Sequence, residues 1–211
     1  VIQPASRGPG RPPAAKAAET RKRILRAARE VFSERGYDAA TFQAIAMRAD
    51  LTRPAINHYF ANKRVLYCQV LEESNNALVA ASALRAQNET TLTGRVAAFI
   101  KGAAEAEIEN WNASAFMIAA TLESRRHPEF SRPGSDLVSA TRAFLLRAIN
   151  DGVQRGELDA DTDAAALTEM MLALLLGVGF YAGFIAGPRD LDPVTDQLKL
   201  LLARSLSRPP E

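Results

Sequence analysis

One cysteine, two histidines and one tryptophan among 211 residues leave little material for several kinds of chemistry. The lone Cys68 makes no internal disulfide, which excludes a secreted disulfide scaffold, and beside Leu66 and Leu71 it reads as packing. His58 and His127 stand far apart, and no HxxxH, CxxC or glycine-rich phosphate loop accompanies them, so no metal, nucleotide or other cofactor is expected. Glu105, Glu107 and Glu109 alternate, do not face one another on a helix, and read as solvated charge. The sequence therefore gives no support to an enzyme. Alternating apolar and polar runs rich in Val, Ile, Thr and aromatics are missing as well, so no strand is expected. Val1-Ile2-Gln3-Pro4 lacks the charged-then-apolar pattern of a leader, and a cytoplasmic protein is the expectation.

What is present is apolar residues, 47% of the chain, and an uneven distribution of charge. Residues 1–70 carry 13 basic and 5 acidic side chains and residues 71–211 carry 13 and 19, so a front of +8 is joined to a body of −6. That split suggests a polyanion-binding module attached to a body with another task. Residues 1–18 hold four of the eleven prolines and no core-facing periodicity, and read as a disordered basic tail. Helical spacing then begins, with Thr20 as a cap, Ile24, Ala28, Val31 and Phe32 inward, and Gly36 as the left-handed stop. Further helices are expected at 42–49, 53–60, 62–88, 92–110, 113–126, 135–155, 162–186 and 191–207, broken at glycines and prolines. The fold class is all-α: tail 1–18, an N-terminal three-helix domain over 19–70, and a helical body over 71–211.

The stretch Thr41 to Phe60 has the build of a helix-turn-helix. Ala46 is small where two short helices cross, Ile45, Leu51 and Ile56 lock the pair, and Asp50 sits where the turn wants positive φ. Thr41 can cap the first helix, Thr52 or Arg53 begins the second, and Pro54 falls in a first turn that tolerates it. Residues 20–71, through Ala27-Ala28, Phe32, Gly36-Tyr37, Thr41, Ile45-Ala46, Ala49, His58-Tyr59-Phe60 and Lys63, resemble the DNA-binding domain of a TetR-family transcriptional regulator. The resemblance implies a recognition helix over 53–59 in the major groove of double-stranded DNA. Within it, Arg53 is the candidate fork to guanine O6 and N7, with Asn57, His58 and Tyr59 as further contacts. Thr41, Gln43 and Thr52 would lie at helix starts against the DNA, and Asn62 with Lys63 would meet a backbone phosphate. Asn57 stands where the family usually has a phosphate-binding Tyr, and Pro54 replaces a small residue.

Two other segments carry expectations. Gly10-Arg11-Pro12 resembles an AT-hook core, which makes Arg7 and Arg11 candidates for the minor groove, against non-specific attraction as the plainer reading. Met170 to Gly187 is an uncharged run long enough for a membrane, yet its four glycines and the returning amphipathic helix favour a buried face instead. In the family the last long helices form a four-helix dimer bundle, so the resemblance implies a homodimer through 135–155 and 162–186, with Leu174, Gly177, Val178 and Tyr181 at the interface. Small Gly177, Gly179, Ala182 and Gly183 would let the backbones of the two subunits approach closely there. The resemblance also implies a small-molecule effector bound between body helices. Phe99, Trp111, Phe116, Met117 and Phe144 are candidate lining residues, and their apolar character suggests a hydrophobic ligand. The expected function is a repressor released from a palindromic operator by that ligand. The competing reading is an all-helical small-molecule-binding protein or enzyme whose helix-turn-helix is degenerate.

Overall fold

A computed structural model describes residues 13–109, 113–130, 136–185 and 191–206. All regular elements among them are helical: α1 (Pro13–Ala39), α2 (Phe42–Arg48), α3 (Arg53–Tyr59), α4 (Lys63–Ala86), α5 (Leu92–Glu109), α6 (Ala113–Arg126), a 3-10 turn at Pro128–Phe130, α7 (Leu137–Gln154), α8 (Ala164–Phe180) running on as a π turn through Tyr181–Ile185, and α9 (Leu191–Leu206). Asp136 and Asp163 cap α7 and α8 by accepting from Ser139 N and from Ala165 and Ala166 N, which explains why those helices begin there.

The start of α1 differs from expectation. The helix begins at Pro13, and Thr20 lies inside it, its hydroxyl donating to the Lys16 carbonyl at 3.0 Å instead of capping. Proline is well placed in a first helical turn, and Ala14 to Glu19 is a run of strong helix formers that holds a helix without any core face. Arg7, Arg11 and Trp111 lie outside the described residues. Gly36 takes φ 73° and ψ 175° and breaks α1 as expected; a Cβ there would also stand 2.9 Å from Glu123 Oε1, so the position suits glycine doubly.

Two cores result. The first joins Ile24, Ala28, Val31 and Phe32 of α1, Ile45 and Ala46 of α2, Ile56 of α3 and Leu66, Tyr67 and Val70 of α4 to Phe116, Met117 and Ala120 of α6. The second joins Leu92, Val96 and Ile100 of α5, Leu145 and Ile149 of α7, Met171 and Leu172 of α8 and Leu202 of α9. Helix α4 runs unbroken through residue 70, so no linker separates the N-terminal helices from the body. At the junction Tyr67 meets Phe32 at 5.0 Å, Phe116 at 5.6 Å and Phe130 at 4.7 Å between ring centroids. Burial, and then the Glu123 charge, push the Tyr67 phenol far above its usual range, so it stays neutral.

Candidate nucleic-acid interface

The helix-turn-helix is shaped by local hydrogen bonds. Thr41 Oγ1 accepts from Ala44 N at 3.1 Å, Thr52 Oγ1 from Ala55 N at 3.3 Å, and Asn62 Oδ1 from Val65 N at 2.9 Å, so α2, α3 and α4 each start on a cap. Asp50 adopts φ 51°, and Leu51 N donates back to Ala46 O at 2.9 Å, the six-residue closure that ends a helix on a left-handed residue. Pro54 sits in the first turn of α3. The turn thus takes Asp50 in a left-handed conformation, and the helix tip takes Pro54 where no intrahelical N–H bond is lost.

Burial of Ile56 turns α3 so that Arg53, Pro54, Asn57 and His58 are exposed together, with Arg53 and Asn57 one turn apart. Gln43 and Thr41 are exposed at the start of α2. Tyr59 is half-buried, packs on the first core and meets the His58 ring edge-on at 5.4 Å, so its ring is largely committed to the fold.

Lys63 has a different place from the one expected. Its ammonium donates to the carbonyls of Tyr37 at 2.7 Å, Asp38 at 3.0 Å and Ala40 at 3.1 Å, and lies 4.4 Å from the Tyr37 ring centroid. All three N–H groups are satisfied within the chain, so this lysine ties the α1–α2 connection to α4 and is not positioned as a phosphate contact. Lys63→Met is expected to cost about 1.5–3 kcal/mol, read as a melting temperature about 3–12 °C lower. A variant melting like the native chain would contradict this role.

Other contacts that hold the reading head were not anticipated. Arg48 pairs with Glu30 at 3.0 Å and with both Glu34 oxygens at 2.8 and 2.7 Å, fixing α2 on α1 and holding the Glu34 carboxyl below its usual range. Arg21 bonds Gln69 and lies 4.6 Å over the Phe60 ring. Their partners are 14 to 48 residues away in sequence, too distant for spacing rules to connect.

In the body, the expected lining residues separate. Phe99 lines a half-open pocket of about 80 Å³ bordered by α4 to α8, and Phe144 stacks on Phe99 at 4.5 Å without lining it. Phe116 points the other way, into the first core, because residues two apart on α6 face opposite sides. Met117 also belongs to that core and borders two crevices of about 390 and 340 Å³, both lined in part by Phe130 and Asp136.

The expected dimer residues lie on α8 and its continuation. Leu174 and Gly177 are exposed and Val178 and Tyr181 half-buried, and the face extends to Met170, Phe180, Phe184 and Ile185, of which the last is 65% exposed. Gly177 has open space beside it, but Gly183, expected to serve close approach of a partner, packs on α6 of its own chain: a Cβ there would lie 2.8 Å from Ala115 Cα. Ala164–Ile185 is the one helix among the described residues long and apolar enough to cross a membrane. Its opposite face, with Met171, Leu172 and Ala182, is buried, and Glu169 pairs with Arg142 of α7 at 2.6 and 3.2 Å.

A capped helix-turn-helix carried by a basic N-terminal domain and fused to a larger helical body defines a DNA-binding transcriptional regulator. The sequence model for bacterial regulatory proteins of the tetR family matches residues 24–70. The regulator UidR of Escherichia coli K12 is 26% identical over 160 residues, 75% of this chain and 79% of its own. A transcriptional repressor of Mycobacterium tuberculosis is 28% identical over 194 residues, 89% and 95% of the two chains. The crystal structure of the TetR-family regulator PfmR from Thermus thermophilus shares the fold, with a TM-score of 0.69 at 24% identity over 88% of this chain and 100% of that one. Residues 24–70 thus carry the sequence pattern of the tetR family, and the chain over most of its length is similar in sequence to transcriptional regulators and in fold to a TetR-family regulator.

Proposed function

We propose that the protein is a cytoplasmic homodimeric repressor that binds a palindromic operator and releases it when a small hydrophobic ligand enters the body. The observation that carries this reading is the exposed Arg53–Asn57 face of α3, set on a head whose caps and turn leave those side chains free to meet base edges. One seven-residue helix reaches only a few base pairs, so sequence-specific binding needs two heads spaced by one turn of DNA. The exposed apolar face of α8 supplies a surface for that pairing, and the packing of its opposite face on α6 and α7 of the same chain favours a second copy over a lipid bilayer. Thr41, Gln43 and Thr52 frame the contact, and His58 adds a second exposed side chain beside Asn57. Repression is supported by the repressor named among the relatives. We divide the chain functionally near residue 70, with DNA contact before it and ligand binding and dimerisation after it.

Selection of bound duplexes from a random pool tests this reading. The expected result is an enriched inverted repeat with half-sites about 10 base pairs apart, centre to centre. Enrichment of AT-rich DNA without symmetry, or no enrichment, would count against it.

A further inference from the structure

The cavity between α4, α5, α6, α7 and α8 has about 80 Å³, room for about five to eight atoms the size of a water. The pocket is half open, and that volume seats a single substituted ring. Leu78, Phe99, Ile118, Leu176 and Gly179 form apolar walls, Ser82, Ser114 and Thr141 bring hydroxyls, and none of the wall residues has an ionisable side chain. A carboxylate or ammonium entering here finds no counter-charge, and burying one unpaired is far costlier than burying a hydroxyl.

Ser82 is the informative wall residue. It is 1% exposed, and its hydroxyl has no hydrogen-bond partner. A serine inside a helix commonly satisfies itself on the carbonyl four residues back, here that of Leu78, and this one does not. Its backbone cannot retreat either: a Cβ on Gly102 of α5 would lie only 2.7 Å from Ser82 Cα and from the Ala81 carbonyl oxygen. A buried hydroxyl held at a fixed place on the wall of a largely apolar pocket, with its hydrogen bond unmade, carries a penalty that a bound molecule can remove.

We infer that this cavity receives a small neutral ring bearing one hydroxyl or carbonyl, which completes the hydrogen bond of Ser82 while Phe99 packs on the ring. The inference rests on the effector-responsive reading above and adds the chemical class: neutral, single-ring and hydrogen-bonding, with charged analogues rejected. Selectivity for the polar group follows because a molecule of equal size without it leaves Ser82 unpaired.

Titration calorimetry of the full chain with phenol, toluene, benzyl alcohol and benzoate tests it. Phenol is expected to bind about tenfold or more tighter than toluene, and benzyl alcohol to bind where benzoate does not. Ser82→Ala should bring phenol down to the affinity of toluene and leave toluene unchanged. Should that variant fold poorly, Ser82→Cys, which nearly preserves volume but hydrogen-bonds weakly, is expected to lose most of the same preference. Equal binding of phenol and toluene by the native chain, binding of benzoate as tight as that of benzyl alcohol, or binding of none of the four overturns the inference. The titration needs no DNA, so its failure is distinct from failure of the regulator reading, which the duplex selection exposes separately.

Discussion

Leu174→Arg is expected to sediment as a monomer at micromolar concentration and to lose at least about a thousandfold in operator affinity, retaining only weak, salt-sensitive attraction to any DNA. The substitution lies far from the reading head, on the surface strip formed by Met170, Leu174, Gly177, Tyr181 and Phe184, whose spacing places them on one side of α8. Leu174 is 43% exposed, so the isolated chain tolerates arginine there; two such guanidiniums facing each other in an apolar bundle do not pair. Sedimentation velocity and a binding titration on the selected operator check the two halves of the expectation. A dimer that survives the substitution with full operator affinity would place the interface elsewhere. Leu174→Met is the control and should behave as the native chain.

Arg53→Ala is expected to weaken operator binding by about 1–3 kcal/mol for each half-site, on the order of 30-fold to 10⁴-fold for the symmetric pair. The more telling signature is where preference is lost. A base-reading arginine relaxes selection at one base pair in each half-site, whereas a phosphate-binding one weakens all sequences alike and lowers the salt slope. Repeating the duplex selection with the variant separates these outcomes. The fold should not change, because Arg53 is exposed and helix α3 is anchored by Ile56 and by the Thr52 cap.

Features decided within a few residues of chain were legible before the structure. The cap at Thr41, the left-handed Asp50 and the stop at Gly36 each depend on a side chain and its immediate neighbours and are found where the sequence reading puts them, and of Thr52 and Arg53 it is Thr52 that caps α3. What was not legible is where long side chains end. The family resemblance puts Lys63 at a backbone phosphate at the start of α4, yet its ammonium reaches back to carbonyls 23 to 26 residues earlier. Gly183 shows the same limit: its small size signalled close approach, but only the tertiary arrangement shows that Ala115 of the same chain is what approaches. At the N-terminus the prolines outweighed the alanine-rich run after Pro13, although helix propensity there needs no tertiary support. The orientation of Phe116 was likewise undetermined, since an apolar residue on a helix buried from two sides fits either side.

Helix α6 presents Ser114 and Ile118 to the cavity and Phe116, Met117 and Ala120 to the core shared with α1 and α4. Under the proposed function, residues facing the effector therefore alternate within about two turns of α6 with residues packed against α1 and α4. For anyone recasting the protein as a biosensor, this sets a rule for library design. If the proposed function holds, diversity introduced at Ser114, Ile118 and the facing Thr141 is expected to change which compound is sensed, and diversity at the interleaved positions to give variants fixed in one state. Random mutagenesis across this helix should accordingly produce far more constitutive variants than retuned ones.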